Sequence, residues 1–211
     1  MAALEMTSPG LSSWRDQLPP LVNDQVTLRE LQRSDVGRLY DMVRRPEVAH
    51  YTWPPPPTMD ALEQFIEWTW SERANGKYVG FGIVPAHSTV AAGVFELRQL
   101  QPNFFRAELG FFIDPSLHGT GLFTSAASLL VGFARDVLGV HRIEARTSID
   151  NVRGNAALRK LGARREGVLR AAFVREGRFV DQRLWAILTR EFQDVPASRR
   201  MERATPIEGS R

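Results

Sequence analysis

The sequence predicts an α/β (α+β) chain organised around one main domain, and three observations predict it. Residues 106–163 read in succession as a strand, a glycine loop, a helix, a second strand and a helix headed by asparagine. Strand patterns recur before and after this block, with two helical patterns between residues 34 and 75. A length of 211 residues fits one domain with enough core to fold unaided.

In chain order, residues 1–24 mix Ser, Pro and Gly with scattered apolar side chains. They read as an irregular N-terminal arm that packs through Trp14 and Leu18. Residues 25–195 are the domain. The alternating run 26–31 starts the sheet. Ser34 and Asp35 can cap a helix whose apolar face is Val36, Leu39, Tyr40 and Val43, and Pro46 ends it. Tyr51 and Trp53 then precede the prolines 54–57, a stiff extended connector. Thr58 or Asp60 caps the next helix, with Leu62, Phe65, Ile66 and Thr69 on one face, and Asn75-Gly76 stops it. Residues 77–84 and 89–100 read as adjacent antiparallel strands around the turn 85–88. Residues 106–113 are short, apolar and aromatic, closed by Asp114-Pro115. The long helix from Leu122 carries Ala126, Leu129 or Leu130, Phe133 and Val137 on one stripe, and Gly139 ends it. Residues 142–148 form the next strand. Residues 163–170 and 179–188 read as the last two, with Glu176-Gly177 a turn between them. Residues 196–211 read as a flexible C-terminal tail.

Composition narrows the function classes. The chain has no cysteine, so a disulfide framework, a thiolate metal site and a cysteine nucleophile are excluded. The longest mostly apolar run, 122–134, is too short to span a bilayer, and residues 1–24 lack the pattern of a secretory signal. These features suit a cytoplasmic protein with no membrane partner. No basic run interleaved with aromatics points to nucleic acid. Residues 135–190 hold 13 Lys and Arg against 6 Asp and Glu, so positive charge gathers in the second half, the sign expected for an anionic ligand.

The sequence His118-Gly119-Thr120-Gly121-Leu122-Phe123 is where such a ligand is expected. A glycine loop opening a helix lets the backbone approach a phosphate, and the first-turn N–H groups and the helix dipole favour negative charge. The dinucleotide fingerprint does not fit: Thr124 stands where a third Gly belongs, and no acidic residue follows about twenty positions on. The triphosphate loop does not fit either, because no Gly-Lys-Ser/Thr is present.

The succession does resemble the GNAT superfamily of acetyl-CoA-dependent N-acetyltransferases. The loop pattern falls on His118 to Phe123. Ala107-Glu108-Leu109-Gly110-Phe111, Asn151 heading a helix that ends Lys160-Leu161-Gly162-Ala163, and Arg165-Glu166-Gly167-Val168-Leu169-Arg170 resemble the branch that holds the ribosomal-protein alanine acetyltransferases (RimJ/RimL type). The resemblance covers roughly residues 25–193. It implies a mixed, strongly twisted sheet of about seven strands with helices on both faces. It also implies direct attack of a neutral amine on the thioester of acetyl-CoA, with coenzyme A as product.

Carried over residue by residue, the resemblance gives the loop Gly119, Thr120, Gly121, Leu122, Phe123 and Thr124, with His118 before it, as the cradle of the pyrophosphate. Backbone groups near Phe112 and Ile113 would bond the pantetheine arm and supply an oxyanion donor. Asn151 would bond the coenzyme arm while capping its helix. Glu108 is the candidate proton acceptor, against its reading as a structural ion pair with a neighbouring strand. Tyr51 and Trp53 fall in the region that lines the acceptor side. The chain departs from the pattern at His118, where Gln or Arg is usual, and at Phe123, where Gly or Ala is usual. Leu158 and Gly154 occupy the two positions where relatives keep a Tyr or Ser to protonate the thiolate. The acceptor is left as a protein N-terminus or a small-molecule amine, and a homodimer is left open. The alternative is a coenzyme-binding module with little catalysis.

Overall fold

The computed structural model describes residues 13–52 and 55–192. The expectations for Trp53 and for residues 196–211 lie outside the described residues. One eight-stranded sheet organises the chain, in the order β1-β2-β3-β4-β5-β6-β8-β7. Its strands are β1 (Leu21–Val22), β2 (Val26–Glu30), β3 (Tyr78–Pro85), β4 (Gly93–Gln99), β5 (Arg106–Ile113), β6 (Arg142–Ser148), β7 (Arg164–Arg175) and β8 (Arg178–Leu188). All neighbours are antiparallel except β5 and β6. The strand beyond the seven expected is β1, a two-residue pair inside the stretch read as an irregular arm. Before it, Leu18 is buried and Trp14 meets Phe104 edge-on.

Helices cover both faces, and alternation along the strands explains which residues meet them. On one face Phe81, Phe95, Leu97 and Leu109 pack against α4 (Leu122–Asp136), through Ala126, Leu130 and Phe133. Leu130 is the buried member of the Leu129–Leu130 pair. The helix ends at Asp136, so Val137 does not continue the stripe and is half-exposed. α5 (Val152–Lys160) buries Leu158 on the same side. The other face carries α1 (Val36–Val43) and α3 (Met59–Ala74), which close a second core of Leu31, Leu39, Met42, Ile66 and Val94.

Local signals set the helix ends. The Thr58 hydroxyl accepts from the Ala61 amide at 3.1 Å and caps α3. Pro46 does not simply follow α1: it opens a short helix of its own, α2 (Pro46–Ala49), at the position where a missing N–H costs nothing. Asp35 precedes α1 but its side chain makes no cap bond. It is buried instead, where Arg29 and two backbone amides bind it.

Candidate functional site

The site begins with a gap in the sheet. β5 and β6 are in register only at Arg106–Arg142, Ala107–Ile143 and Glu108–Glu144. Past Glu108 the strands part, and β6 continues along β8 alone. Which backbone groups face the gap follows from the antiparallel pattern. The Leu100 amide donates to the Arg106 carbonyl at 2.9 Å, and the Asp114 amide to the Ala92 carbonyl at 2.8 Å. Even-numbered residues of β5 therefore turn their backbone toward β4. Leu109, Phe111 and Ile113 turn theirs toward the gap. Of the two positions named from the sequence, Ile113 offers its backbone there, whereas Phe112 offers its side chain to the cleft wall. Backbone donors and acceptors beside a widening slot suit an extended, amide-bearing ligand arm.

The loop stands at the open end of that slot. Gly119 and Gly121 have φ of +81° and +83°, a region that strains any side chain. Gly121 is the residue before α4, with no side-chain cap. The first-turn N–H groups of a helix have no intrahelical partner. That of Leu122 meets the Thr120 hydroxyl at 3.3 Å, which leaves those of Phe123 and Thr124 directed at the cleft. The Phe123 side chain turns the other way and packs between Phe95 and Phe111. A bulky residue is thus tolerated in the loop because its ring belongs to the core. Asp114 holds the segment before the loop. It accepts from the Ser116 amide and hydroxyl and pairs with Arg45 at 3.1 Å. Burial pushes its carboxyl up, but Ser116, Arg45 and Arg38 outweigh this and hold it below the usual range.

His118 faces α5 across the loop. Arg153 Nη1 lies 2.9 Å from His118 Nδ1. A guanidinium only donates, so Nδ1 accepts and the ring N–H sits on Nε2. Burial, then Arg153, keep the imidazole below its ordinary pKa against the pull of Asp114. Asn151 heads α5, where its Oδ1 accepts from the Gly154 amide at 2.8 Å. A Cβ on Gly154 would come within 2.7 Å of Asn151 Nδ2, so glycine makes room for this cap. A cradle of two left-handed glycines, free helix-start amides and the cations Arg153 and Lys160 along one cleft wall fits a diphosphate.

The slot opens into a cleft of about 2100 Å³, roughly twice the upper end of ordinary ligand pockets of about 1,000 Å³. It has room for a long ligand and a second reactant. Glu108 lies on the cleft side of β5, at the closed end of the gap. It is ion-paired to Arg98 on β4 and to Arg146 on β6 at 3.4 Å, with 17% of its side chain exposed. The cross-strand ion pair set against the catalytic reading is therefore present. Glu96, opposite Gly110 in the register, counts in the sequence only as one of several acidic residues that leave a small-amine acceptor open, with no catalytic role. Burial pushes its carboxyl up, the Tyr78 hydroxyl and Arg98 draw it back, and Glu108 adds to the rise. The net position is above the usual glutamate range. The signal that could have found it is Gly110, since a glycine inside a strand marks a close approach.

The far wall joins three distant segments. Arg175 of β7 donates to the His50 carbonyl and to Asp150 Oδ2, both at 2.8 Å, and stands over the Tyr51 ring. Tyr51 lines the cleft. Leu158 and Gly154, where the resemblance implies a thiolate acid, carry no proton-donating side chain. Leu158 is fully buried in the core. Ser148 donates to Asp150. Asn155 is a structural pin, binding Thr147, Trp185 and two backbone carbonyls. Among the described residues no group of His, Cys, Asp or Glu could hold a metal, and no helix is long and apolar enough to cross a membrane.

Comparison with known proteins agrees with this geometry. Residues 25–164 match the model of the acetyltransferase (GNAT) domain. The N-acetyltransferase YoaA of Bacillus subtilis is 27% identical over 173 residues, covering 81% of this chain and 97% of the relative. A spermidine N(1)-acetyltransferase of Vibrio cholerae is 23% identical and covers 81% and 97%. The solved structure of RimL, a ribosomal alpha-N-protein acetyltransferase in complex with coenzyme A, superposes with a TM-score of 0.72 at 20% identity, covering 81% and 98%. The chain belongs to the GNAT acetyltransferase family and is an acetyl-CoA-dependent N-acetyltransferase.

Proposed function

We propose that the acceptor is the N-terminal amine of a protein or peptide rather than a polyamine. The observation that carries this is the charge balance of the cleft. Of the four carboxylates that line it, Glu108 is spent on Arg98 and Arg146 and Asp150 on Arg175, which leaves Glu47 and Glu96. Those three arginines, with Arg153 and Lys160, line the same space. A polyamine needs several uncompensated carboxylates along its length, and like charge close by costs affinity. A chain terminus brings one ammonium and a neutral backbone, and the width of the cleft accommodates it.

In this reading the amides of Phe123 and Thr124, with Gly119, Thr120, Gly121 and Leu122 shaping the turn, hold the pyrophosphate. His118 and Arg153 flank it. The backbone of Ile113 and its gap-facing neighbours lines the pantetheine arm, and an N–H of that row points at the carbonyl oxygen. Asn151 borders the arm while capping α5. Acetyl-CoA supplies an activated acyl group, so orientation is a large part of what the chain must add. A carboxylate of the cleft floor, Glu108 at the closed end or Glu96 beside it, takes the ammonium proton.

Thiol release from acetyl-CoA, measured with free-N-terminus peptides and with spermidine, tests the reading. Peptides are expected to exceed spermidine in kcat/KM at least tenfold. A preference for spermidine would reverse the assignment. Coenzyme A binding by calorimetry without thiol release from any amine would favour the non-catalytic module.

A further inference from the structure

Glu96 and Glu108 are neighbours on one sheet face, but their surroundings differ. Glu108 is locked between two guanidinium groups where β5 and β6 still pair. Glu96 stands further toward the open end, over Gly110. A Cβ at Gly110 would lie 2.9 Å from Glu96 Oε2, so the carboxylate rests against the bare β5 backbone. One strand spacing beyond, about 4.8 Å, is the gap. On the opposite side the Tyr78 hydroxyl stands close enough to draw the Glu96 carboxyl down. The Trp68 ring meets Tyr78 at 4.9 Å between centroids, and Phe65 stacks on Trp68 at 5.7 Å. Trp68 is 46% exposed, and all three rings line the cleft. A carboxylate sharing a cleft wall with a cluster of aromatic rings is a place for an ammonium group.

We propose that Glu96, Trp68 and Tyr78 form the seat of the acceptor amine, and that Glu96 is the proton acceptor. The ammonium docks against the carboxylate and the rings. An N–H bond breaks as a carboxyl O–H forms, and the neutral amine is left at the edge of the gap. The inference rests on reading this cleft as the acceptor side, but not on which amine enters it.

The charges that face Glu96 define its titration. Arg98 flanks it on β4, and Glu108 from β5 engages Arg98. Tyr78 comes from β3 and stays protonated, its own pKa raised by burial and by Glu96. α3, packed over this face, brings Trp68 and Thr69. Of its ionised groups, Glu63 and Glu67 are engaged with Arg33, Arg73 with Glu30, and Glu72 accepts from Asn75, while Asp60 sits in its first turn. Glu108 thus serves as a positioning residue, tying up Arg98 so that Glu96 keeps its basicity.

Two measurements on the full chain test this. In the first, glutamate carboxyl carbons are labelled and followed by NMR. The signal lost in Glu96→Gln is expected to titrate above the ordinary glutamate range and to move when phenethylammonium chloride is added, together with the Trp68 indole. In the second, turnover is measured with acetyl-CoA and a peptide with a free N-terminus. Glu96→Gln is expected to lower kcat about 100-fold or more and to abolish the acid limb of the pH profile, with coenzyme A affinity unchanged within twofold. Glu108→Gln should move that limb to lower pH, and Tyr78→Phe to higher pH. Retention of kcat within threefold and of the limb in Glu96→Gln overturns the proposal. So does a probe ammonium that leaves the Glu96 signal in place. If the wild type acetylates no amine, the acceptor reading fails, and the ammonium-induced shift decides the seat by itself. If Glu96→Gln does not fold, Glu96→Asp assigns the resonance instead, that resonance and the Tyr78→Phe limb must move together, and a limb that stays put sinks the idea.

Discussion

Asp35 and Glu96 are both carboxylates on the α1–α3 side of the sheet, and the protein treats them in opposite ways. The Asp35 side chain is fully buried. Arg29 grips both of its oxygens at 2.8 Å, and the amides of Gln32 and Ala91 donate at 2.9 Å each. Burial pushes its carboxyl up, but the Arg29 hydrogen bonds and the two amides overcome that, and it titrates below the usual range. Burial also pushes the Glu96 carboxyl up, with fewer donors to oppose it, and it titrates above the usual range. Asp35 is the less accessible of the two and is still the one held down, so the donors aimed at the oxygens decide. Asp35 is an ionised strut joining β2, the start of α1 and the approach to β4. Glu96 is left able to exchange a proton.

The largest effect should come from breaking the strut. Asp35→Asn leaves Arg29 without its counter-charge and is expected to cost about 3–5 kcal/mol, a fall of roughly 10 °C in thermal midpoint for a chain this size. The same bond network fixes the acid side of the stability curve. The folded Asp35 carboxyl lies below its unfolded value of 3.8, so its contribution is complete above that pH and is lost as pH falls through the folded value. Melting of the wild type from pH 5 downward should decline more steeply than that of Asp35→Asn.

Next in size is a steric test of Glu96. Gly110→Ala changes no charge but sets a methyl 2.9 Å from Glu96 Oε2. Moving the carboxylate is expected to lower kcat about 10- to 100-fold, while coenzyme A binding by calorimetry holds. An unchanged kcat would detach Glu96 from the chemistry.

The smallest effect has the opposite sign to the first. Glu96 has a folded pKa above the unfolded 4.5. Between those values the folded state binds more protons than the unfolded, so its contribution to stability declines as pH rises. Glu96→Gln should therefore melt higher than wild type at pH 7, by about 1 kcal/mol or a few degrees. The advantage should shrink toward pH 4.5. A lower midpoint at pH 7 would place Glu96 with Asp35 as a strut.

Much of this was legible in the residues. The loop announces itself by two glycines before an apolar helix, Thr58 and Asn151 are cap residues by type, and Glu176-Gly177 closes the last hairpin. The site's electrostatics were not. Glu108 was singled out by its place in a motif, and nothing along the chain says that Arg98 and Arg146 converge on it from two different strands. Asp35 reads as a helix cap because Ser or Asp before an apolar run usually is one. Only the packing of residue 91 against it shows otherwise.

The sequence by itself determined the alternation of strands and helices, the glycine turn and the resemblance that names the coenzyme. These depend on periodicity, φ preference and capping, which act over a few neighbouring residues. Tertiary structure decided the splay of β5 from β6, the direction in which each backbone group points, and which of two neighbouring glutamates is ion-paired to arginine. Those depend on strand register, and register brings together residues such as Tyr78, Glu96 and Gly110 that no local rule connects.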